Sequence, residues 1–487
     1  MRPTRSDYVG AKGEVGNEVA VHHIPLDAID ASVSQTAALL SEVGEVGGKD
    51  GGHNFDPACH VSNLGDWNRN AYIAMVTSEP ALTEIEVRVI RPANGGAGVG
   101  QDAHGRTTFC EGALPGERVR VGLTQEKKRF ARGIVTEVLE PADDRIYAQC
   151  PTHHVGCGGC DMAHGNDDIQ RTVKAHVVRD ALSRIGRVDP ETIERSWLGF
   201  TEPAKPGWYR TTARLAVARD RIGYRAARSH DVVDVTACGV VHPLVEEVVL
   251  DGRFPKESGP EVMIRASHAT GERMVIVDGS TNGVSVPADV TLVSEAQIDA
   301  GADISIVEDA GGRSFVISAG SFFQAGPTVA TDLVAAVSAA AGDLTGRAVV
   351  DAYSGVGLFA GTVAAASNSL TAVELSSSSI RDTRRNLEDQ RLSGQRIDIV
   401  ESAVEDWDAT PADVVIADPS RAGLGAEGVE SLLRCRAERF ILVSCDTGSF
   451  GRDAGLLRNA GYELDSVRLV DAFRDTSHVE TIAAFTR

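Results

Sequence analysis

The last third of the chain repeats one pattern, a short apolar strand followed by a loop and a helix, and this pattern constrains the fold more than any other feature. The apolar segments are AVVDAY, LTAVEL, DVVIAD and RFILVSC. Strands that alternate with helices predict a parallel, doubly wound α/β sheet. The last two apolar segments, LDSVRLVDAF and HVETIAAFT, have no helix between them, which predicts an antiparallel pair at one edge of that sheet.

Upstream of this sheet the 487-residue chain shows three other textures, so several domains are expected. Residues 1–80 are rich in Gly, Ser, Asn, Asp and Ala without a sustained period, which predicts a disordered tail. Residues 82–141 contain short strands broken by NGGAGVG and ALPG, which predict a small OB-like β-barrel. Residues 142–320 predict a mixed α+β central domain, and residues 321–487 hold the doubly wound sheet.

The formal charge of −21 argues against a polyanionic partner for the chain as a whole. Positive charge is nevertheless concentrated in residues 205–228, where seven basic residues accompany one acid, Asp220. Composition alone leaves open whether this stretch is a solvated face or a binding surface. The sequence shows neither a signal peptide nor an apolar run long enough to span a membrane, so we expect a cytoplasmic protein without a membrane partner.

Three of the eight cysteines lie in the segment CPTHHVGCGGC, at Cys150, Cys157 and Cys160. In a reducing compartment such a group favours metal binding over disulfide bonds. Thiolates suit both zinc and iron–sulfur clusters, and the spacing of these three cysteines leaves both open.

The segment VVDAYSGVGLFAG places a glycine-rich turn between a strand and a helix, where the backbone can approach a ligand closely. Glu374 ends the next strand, about twenty residues on, where an acid can accept hydrogen bonds from a ribose. The glycine spacing does not fit G-x-G-x-x-G, so a methyl donor with a ribose fits better than a dinucleotide. Asp418 and Cys445 lie at two further strand ends, although a cysteine there is also compatible with simple burial.

Six motifs resemble, in order and spacing, the RNA uracil-C5 methyltransferases that use S-adenosylmethionine. They are SFFQAG, DAYSGVGLF, VEL, DPSRAGL, LVSCD and DAFRDTSHVE. Residues 84–141 look like the TRAM RNA-binding domain of that family, and CPTHHVGCGGC looks like its iron–sulfur segment. The segments WYRTTARLAV and GYRAARSHDVVDVTACGVVHP are similar to its central domain, so the resemblance covers about residues 84–487.

The resemblance implies a role for each of the following groups of residues. The ligands of a [4Fe–4S] cluster are Cys150, Cys157, Cys160 and Cys238. The residues that hold S-adenosylmethionine are Gln324, Tyr353, Glu374 and Asp418, of which Asp418 is also a candidate for the uracil edge. Cys445 is the nucleophile that adds to carbon 6 of uracil, and Glu480 is the base that removes the carbon 5 proton, with His478 as its rival.

The resemblance also implies the substrate and marks some differences. We expect methylation of a uridine in RNA, with 23S ribosomal RNA as the favoured target, by a monomer whose residues 205–228 contact RNA phosphates. The alternatives are a transfer RNA uracil-5-methyltransferase and a catalytically inactive RNA-binding module. Ser354, Ser420 and Thr447 replace residues that are usual in the family, which leaves the geometry of their loops open.

Overall fold

The computed structural model describes residues 82–201 and 209–487, which all lie in one compact unit. The predicted tail, residues 1–80, lies outside the described residues. The strands are, in chain order, β1 (Glu84–Pro92), β2 (Gly98–Gln101), β3 (Thr107–Glu111), β4 (Arg118–Glu126), β5 (Phe130–Glu140), β6 (Trp197–Phe200), β7 (Thr212–Ala218), β8 (Arg221–Arg225), β9 (Val232–Asp234), β10 (Glu261–Ala266), β11 (Arg273–Val277), β12 (Val290–Ser294), β13 (Ser305–Ala310), β14 (Arg313–Ser318), β15 (Ala348–Ala352), β16 (Ser369–Glu374), β17 (Arg396–Glu401), β18 (Val414–Ala417), β19 (Arg439–Ser444), β20 (Glu463–Val470) and β21 (Glu480–Thr486).

The α-helices are α1 (Pro151–His154), α2 (Asp167–Arg184), α3 (Pro190–Ser196), α4 (Pro243–Asp251), α5 (Glu295–Asp299), α6 (Pro327–Ala341), α7 (Leu358–Gly361), α8 (Ser377–Asn386), α9 (Glu388–Leu392), α10 (Gly425–Leu433) and α11 (Thr447–Asn459). Two short 3-10 helices cover Lys256–Ser258 and Val363–Ala366. Within the described ranges, no helix has the length and apolar character that a membrane crossing requires.

Strands β1 to β5 close into a barrel in the order β1-β2-β3-β5-β4, which confirms the predicted barrel. Its inward side chains alternate with outward ones, so Val87, Val119 and Ala131 are buried. Gly100 lets β1 approach closely, because a Cβ atom there would lie 2.1 Å from the carbonyl oxygen of Arg88. A larger residue at that position would force these two strands apart.

A six-stranded sheet with the order β12-β11-β10-β7-β8-β9 follows the barrel. Its strands are antiparallel except for the β11–β12 pair, which is parallel. Helix α4 buries Val245 and Val248 in the same apolar cluster as Phe254 and Val262 of the sheet side. This sheet and helix form the central α+β part that the sequence predicted.

The largest sheet has eight strands in the order β17-β16-β15-β18-β19-β21-β20-β6. The first five are parallel, and β21 is antiparallel to both of its neighbours. Apolar clusters cover both faces, with Leu333 of α6 in one and Phe450 of α11 in the other. The doubly wound sheet is therefore confirmed, and the carboxyl ends of its parallel strands meet at one edge.

Residues 167–200, which the sequence analysis placed in the central domain, pack against the C-terminal sheet instead. Helix α2 contacts α11, and β6 pairs in parallel with β20. The β20–β21 pair is antiparallel as predicted, but β6 and not β20 forms the edge of the sheet. The physical reason is that Val178 and Leu182 of α2 bury their side chains with Phe450, in the core cluster on that face of the sheet.

Candidate active site

Four predicted site residues lie at the carboxyl ends of neighbouring parallel strands. Glu374 is the last residue of β16, and Tyr353, Asp418 and Cys445 each follow the last residue of β15, β18 and β19. Because these strands are adjacent in the order β16-β15-β18-β19, the structure brings the four residues to the same edge of the sheet. That edge is where open α/β sheets bind ligands.

The glycine-rich turn after β15 is bound to the carboxylate of Glu374. The backbone N–H of Gly355 donates to Glu374 Oε2 at 2.9 Å, and the N–H of Ser376 donates to Oε1 at 2.7 Å. Gly355 and Gly357 have φ values of 56° and 87°, in the region that favours glycine. A Cβ atom at Gly355 would meet nothing within 4 Å, so there is open space beside this turn.

Tyr353 has a φ of 61°, an uncommon value for a side chain of this size. Its hydroxyl donates to Glu405 Oε1 at 2.8 Å, which fixes the ring beside the turn. Burial raises the pKa of this hydroxyl, and its contact with Glu405 raises the pKa further. Tyr353 is thus held as a neutral donor by the carboxylate of Glu405.

Asp418 and Gln324 contact each other across the cleft, with Gln324 Nε2 3.2 Å from Asp418 Oδ2. Burial raises the pKa of Asp418 to about 7, and the hydrogen bond from Gln324 opposes that shift. Gln324 reaches this position from the loop between β14 and α6. The pair therefore joins a loop to a strand end at the same edge of the sheet.

Asp351 is a buried acid of the cleft that the sequence analysis did not select. Its Oδ2 accepts a hydrogen bond from the N–H of Ala360 at 2.8 Å, and its Oδ1 has no hydrogen-bond partner among the described residues. Burial raises its pKa to about 8, against the effect of Ala360 and with smaller increases from Asp418 and Glu374. In the sequence, the only sign that Asp351 belongs to the site is an acidic residue within an apolar strand that is expected to be buried.

Cys445 and Glu480 lie opposite each other, because the antiparallel register of β19 and β21 pairs Ser444 with Thr481. Burial raises the pKa of the Cys445 thiol to about 12, and Glu480 and Asp418 raise it further while Arg421 opposes them. Burial likewise raises the pKa of Glu480 to about 8. A buried carboxyl with a pKa near neutrality suits proton transfer to and from a substrate.

His478, the rival base, lies on the loop just before β21. Its side chain is exposed, and its ring is 6.0 Å from the ring of Phe473 in an edge-on arrangement. Glu480 is only 5% exposed, and it acts electrostatically on the thiol of Cys445. His478 is exposed and is not among the groups that act on that thiol. The geometry favours Glu480 over His478 as the base, and the assignment itself stays a prediction.

The unusual residues Ser420 and Thr447 form regular local structure. The N–H of Gly423 donates to the carbonyl of Ser420 at 2.8 Å, which closes the turn after Asp418. Thr447 is the first residue of α11. The N-cap residue Asp446 accepts a hydrogen bond from the backbone N–H of Ser449 at 2.8 Å. These two loops therefore close without the prolines that are usual in the family.

The cysteine segment is bound to the central sheet by its backbone and by Thr152. Thr152 Oγ1 donates to the carbonyl of Ala237 at 2.6 Å, directly before Cys238. Cys157 forms an isolated β-bridge with Ala226, just after β8. The segment CPTHHVGCGGC and the loop of Cys238 are therefore neighbours, although 78 residues separate Cys160 from Cys238.

The thiols of the four predicted ligands act on one another electrostatically. Burial raises the pKa of Cys160, and Asp475, Cys238, Cys157 and Cys150 raise it further. Cys157 and Cys238 are shifted in the same direction, again mainly by burial. Among residues 82–201 and 209–487, however, no three His, Cys, Asp or Glu side chains are arranged to hold a metal ion.

The cysteine segment and helix α2 also hold the loop that leads to Glu480. Asp161 accepts hydrogen bonds from the N–H and the hydroxyl of Ser477, at 2.8 and 2.6 Å. The side-chain amide of Gln170 donates a hydrogen bond to Asp475 Oδ1 at 3.0 Å and accepts one from the backbone N–H of Asp475 at 2.8 Å. The buried ammonium of Lys174 lies 2.6 Å from Asp471. No local pattern in the sequence predicted these contacts.

Three arginines of the basic stretch 205–228 pair with carboxylates, whereas Arg210 and Arg219 form no salt bridge among the described residues. Arg214 and Arg225 both pair with Glu261, at 3.3 and 2.9 Å, and Arg228 pairs with Glu111. Arg221 donates to the carbonyl of Leu250 at 2.7 Å. These contacts leave the stretch a weak candidate for the phosphate-binding surface that the sequence analysis expected.

Comparison with known proteins gives consistent similarities. The TRAM domain family matches residues 83–136. An RNA methyltransferase of Streptomyces avermitilis is 33% identical over 431 residues, which cover 82% of this chain and 97% of that protein. One from Streptomyces coelicolor is 32% identical, covering 84% of this chain and 95% of its own length.

Among solved structures, the chain is similar to the tRNA (uracil-54, C5)-methyltransferase of Pyrococcus abyssi in complex with S-adenosyl-L-homocysteine. The TM-score is 0.61 at 23% sequence identity, with 82% of this chain and 99% of that chain covered. This similarity extends over the barrel, the central sheet and the doubly wound sheet, and it concerns the fold.

Proposed function

The chain belongs to the RNA methyltransferase family, and we propose that it methylates carbon 5 of a uridine in RNA through a covalent adduct between Cys445 and carbon 6 of the base. The observation that carries the proposal is that Cys445 and the buried carboxyl of Glu480 flank the paired residues Ser444 and Thr481 of β19 and β21, and that Glu480 acts electrostatically on the thiol. A thiol beside a proton acceptor at the ligand-binding edge is the set of groups that this reaction requires.

S-adenosylmethionine would be held by the turn at residues 355–357 and by Tyr353, Glu374, Gln324 and Asp418. The open space beside Gly355 fits a ligand that approaches the backbone, and Glu374 offers carboxylate oxygens to a ribose diol. When bound, the donor supplies a methyl group on a sulfonium sulfur. Burial raises the pKa values of Asp351 to about 8 and of Asp418 to about 7, and a cationic ligand bound beside these carboxyls would favour their ionised forms.

Cys445 begins the reaction, and Glu480 ends it. The thiol gives its proton to water, its sulfur bonds to carbon 6, and the electrons of the carbon 5–carbon 6 double bond move onto oxygen 4 as an enolate. Carbon 5 then takes the methyl group, and the methyl–sulfonium bond breaks. Glu480 removes the proton on carbon 5, the double bond forms again, and the Cys445 thiolate leaves.

The thiol of Cys445 must be activated when substrate binds, because burial holds its pKa at about 12. Arg421 is the positive group that acts on this thiol and on Glu480, and it favours the ionised form of both. Arg421 lies on the loop after Asp418 and is exposed. It therefore supports formation of the thiolate in the cleft.

We also propose that Cys150, Cys157, Cys160 and Cys238 hold a [4Fe–4S] cluster. Burial raises the pKa values of Cys157, Cys160 and Cys238, and all three interact with Cys150, which supports a shared site where bound iron would compensate the thiolates. A single zinc ion would need the sulfurs in one tight tetrahedron with bonds of about 2.3 Å.

The substrate is proposed to be 23S ribosomal RNA, which the enzyme would modify as a cytoplasmic monomer. The TRAM domain together with the cysteine segment supports this choice. Transfer RNA is the alternative, since the Pyrococcus abyssi protein with a similar fold acts on it.

The test is transfer of labelled methyl groups from S-adenosylmethionine to unmodified 23S RNA and to unmodified transfer RNA transcripts. The proposal predicts 5-methyluridine in the digested 23S product. Label in 5-methyluridine of transfer RNA alone would establish the alternative substrate, and label in any other nucleoside would contradict the proposed chemistry. Wild-type protein that binds RNA without transferring label would favour the inactive module.

A further inference from the structure

The barrel carries two half-buried aromatic side chains next to exposed basic ones, and none of them has a part in the proposed reaction. We propose that Phe109, Phe130 and Arg132, together with the turn at residues 127–129, bind a single-stranded segment of the substrate RNA. We name this surface the barrel platform. The inference rests on the proposed function, and it assigns RNA binding to a different surface from the stretch 205–228.

The aromatic part of the platform is built by the parallel pairing of β3 and β5. Phe109 pairs with Arg132 in this register, and Thr107 pairs with Phe130, so all four side chains lie on the outside of the barrel. Thr108, Cys110 and Ala131, which alternate with them, are buried. Two large aromatic residues are therefore directed away from the core of a small barrel, where they add little to its packing.

The two rings meet edge to face, and the guanidinium of Arg132 lies over them. The centroids of Phe109 and Phe130 are 6.2 Å apart at an interplanar angle of 86°. Arg132 Cζ lies 4.7 Å from the centre of the Phe109 ring and 5.9 Å from that of Phe130. Aromatic faces and arginine planes are the groups on which unstacked bases pack.

The basic part of the platform is the turn between β4 and β5. Lys127, Lys128 and Arg129 are all exposed, and the N–H of Lys127 donates to the carbonyl of Phe130 at 2.9 Å, which closes the turn. In the described part of the chain, neither these three cations nor Arg132 forms a salt bridge. Four cations thus lie beside two aromatic rings.

Most other arginines of the barrel differ, because carboxylates pair with them, although Arg91 donates only to the carbonyl of Pro92 among the described residues. Arg88 pairs with Glu140 at 2.7 Å, and Arg118 pairs with both Glu140 and Glu86 at 3.0 Å. Arg106 pairs with Glu126 at 2.9 Å, which commits the carboxylate nearest to the turn. In a chain with a net charge of −21, the platform is a local inversion of charge suited to a polyanion with exposed bases.

The experiment measures binding of the full-length protein to a labelled oligouridine of about 12 nucleotides, within the usual site size of such folds. Fluorescence anisotropy gives the Kd at several salt concentrations. The charge variant combines Lys127→Ala, Lys128→Ala and Arg129→Ala. The stacking variant combines Phe109→Leu and Phe130→Leu, and Arg118→Ala on the same barrel is the matched control.

The charge variant should weaken binding at least about ten-fold at low salt and reduce the slope of log Kd against log salt by about two, as expected for three phosphate contacts on a single strand. The stacking variant should lose about ten-fold or more with an unchanged slope. Arg118→Ala should stay within about two-fold of the wild type. Melting temperatures and S-adenosylmethionine binding, unchanged in all three proteins, exclude misfolding as the cause.

Other outcomes overturn the platform and leave the proposed function separately testable. Wild-type affinity and slope in the first two variants, or an equal loss in Arg118→Ala, would remove RNA binding from this surface even if the wild type forms 5-methyluridine. A loss of binding to polyglutamate without a loss for RNA would identify a surface for acidic proteins instead. Failure of the wild type itself to bind and methylate RNA would reject the proposed function as well.

Discussion

The cleft at the strand ends and the cysteine segment are organised by different physical means. The cleft residues are placed by parallel strands and by hydrogen bonds such as Gly355 to Glu374, so they are ordered without a ligand. The cysteine segment consists of loops and one short helix, and its three thiols meet the thiol of Cys238 from a distant part of the sequence. The cleft is therefore preorganised, whereas the proposed cluster would have to compensate four neighbouring thiolates.

The two regions are nevertheless joined. Asp161 of the cysteine segment and Gln170 of α2 hold Ser477 and Asp475, which lie within five residues of Glu480 along the chain. From the sequence, cluster loss was expected to loosen the central part without reaching the chemistry directly. The structure connects the cysteine segment to the loop before Glu480, so loss of the proposed cluster is expected to affect proton removal by the proposed base too.

Of all the variants, Cys445→Ala in the cleft should have the largest effect on turnover. Because no other thiol lies at the strand ends among the described residues, turnover should fall by more than about 1,000-fold. S-adenosylmethionine binding should stay near the wild-type value, since the donor residues are on other strands. Calorimetry and the methyl-transfer assay measure the two quantities, and substantial methylation by this variant would contradict the covalent mechanism.

Cys238→Ser tests the second region. Anaerobically purified wild-type protein should contain about four irons and four sulfides per chain, and the variant should lose most of them and melt several degrees lower. RNA binding should fall more than donor binding, and turnover should fall as well because the loop of Glu480 is held from this side. Cys435→Ala, at a buried cysteine of the doubly wound part, should retain full iron. Stoichiometric zinc without iron, or full iron in Cys238→Ser, would refute the ligand assignment.

Gln170→Leu tests the connection between the regions without removing a ligand. The variant leaves the backbone N–H of Asp475 without its acceptor, which should cost about 1 to 3 kcal/mol locally. We expect kcat to fall about ten-fold with little change in the KM for S-adenosylmethionine and with wild-type iron content. Arg179→Ala, on the same helix but paired with Glu194, is the control and should leave kcat unchanged. Equal effects of both variants would mean that α2 acts only through stability.

The smallest effect concerns the pH dependence of the cleft. Glu480 has a pKa raised to about 8 by burial, so its ionised form is disfavoured in the folded state, and its contribution to stability is lost as the pH rises toward 8. Relative to the wild type, Glu480→Gln should therefore gain stability as the pH rises from about 4.5 to about 8, and the difference in the free energy of unfolding should be of order 3 kcal/mol larger at pH 9 than at pH 6. Wild-type turnover should increase with pH up to about 8, because the base must be ionised. A difference in melting temperature that does not change with pH would mean that Glu480 is ionised throughout.

The sequence predicted the cleft well because strand ends are a local pattern. Tyr353, Glu374, Asp418 and Cys445 each end an apolar run, and parallel pairing alone brings them together. The addition of β6 to the edge of the sheet and the contacts of Gln170 join residues about 300 positions apart, for which periodicity gives no signal.

The charge patterns likewise show that contacts between distant residues cannot be predicted from a local sequence pattern. Residues 205–228 are basic in sequence, yet Arg214 and Arg225 share the carboxylate of Glu261, 36 or more positions away. The turn at residues 127–129 is a shorter basic run, but it stays without carboxylate partners in the described structure. Whether a basic run is available to a ligand thus depends on tertiary pairing.

The most direct test of the covalent mechanism uses Glu480→Gln with unmodified RNA and labelled S-adenosylmethionine. Without the base, carbon 5 should be methylated while the carbon 6–sulfur bond persists, so a denaturant-resistant complex of RNA and protein should accumulate and carry the label. The complex should be absent when Cys445→Ala is added to the same protein. Release of free methylated RNA without a complex, or a complex that forms without Cys445, would contradict the assignment of these two residues.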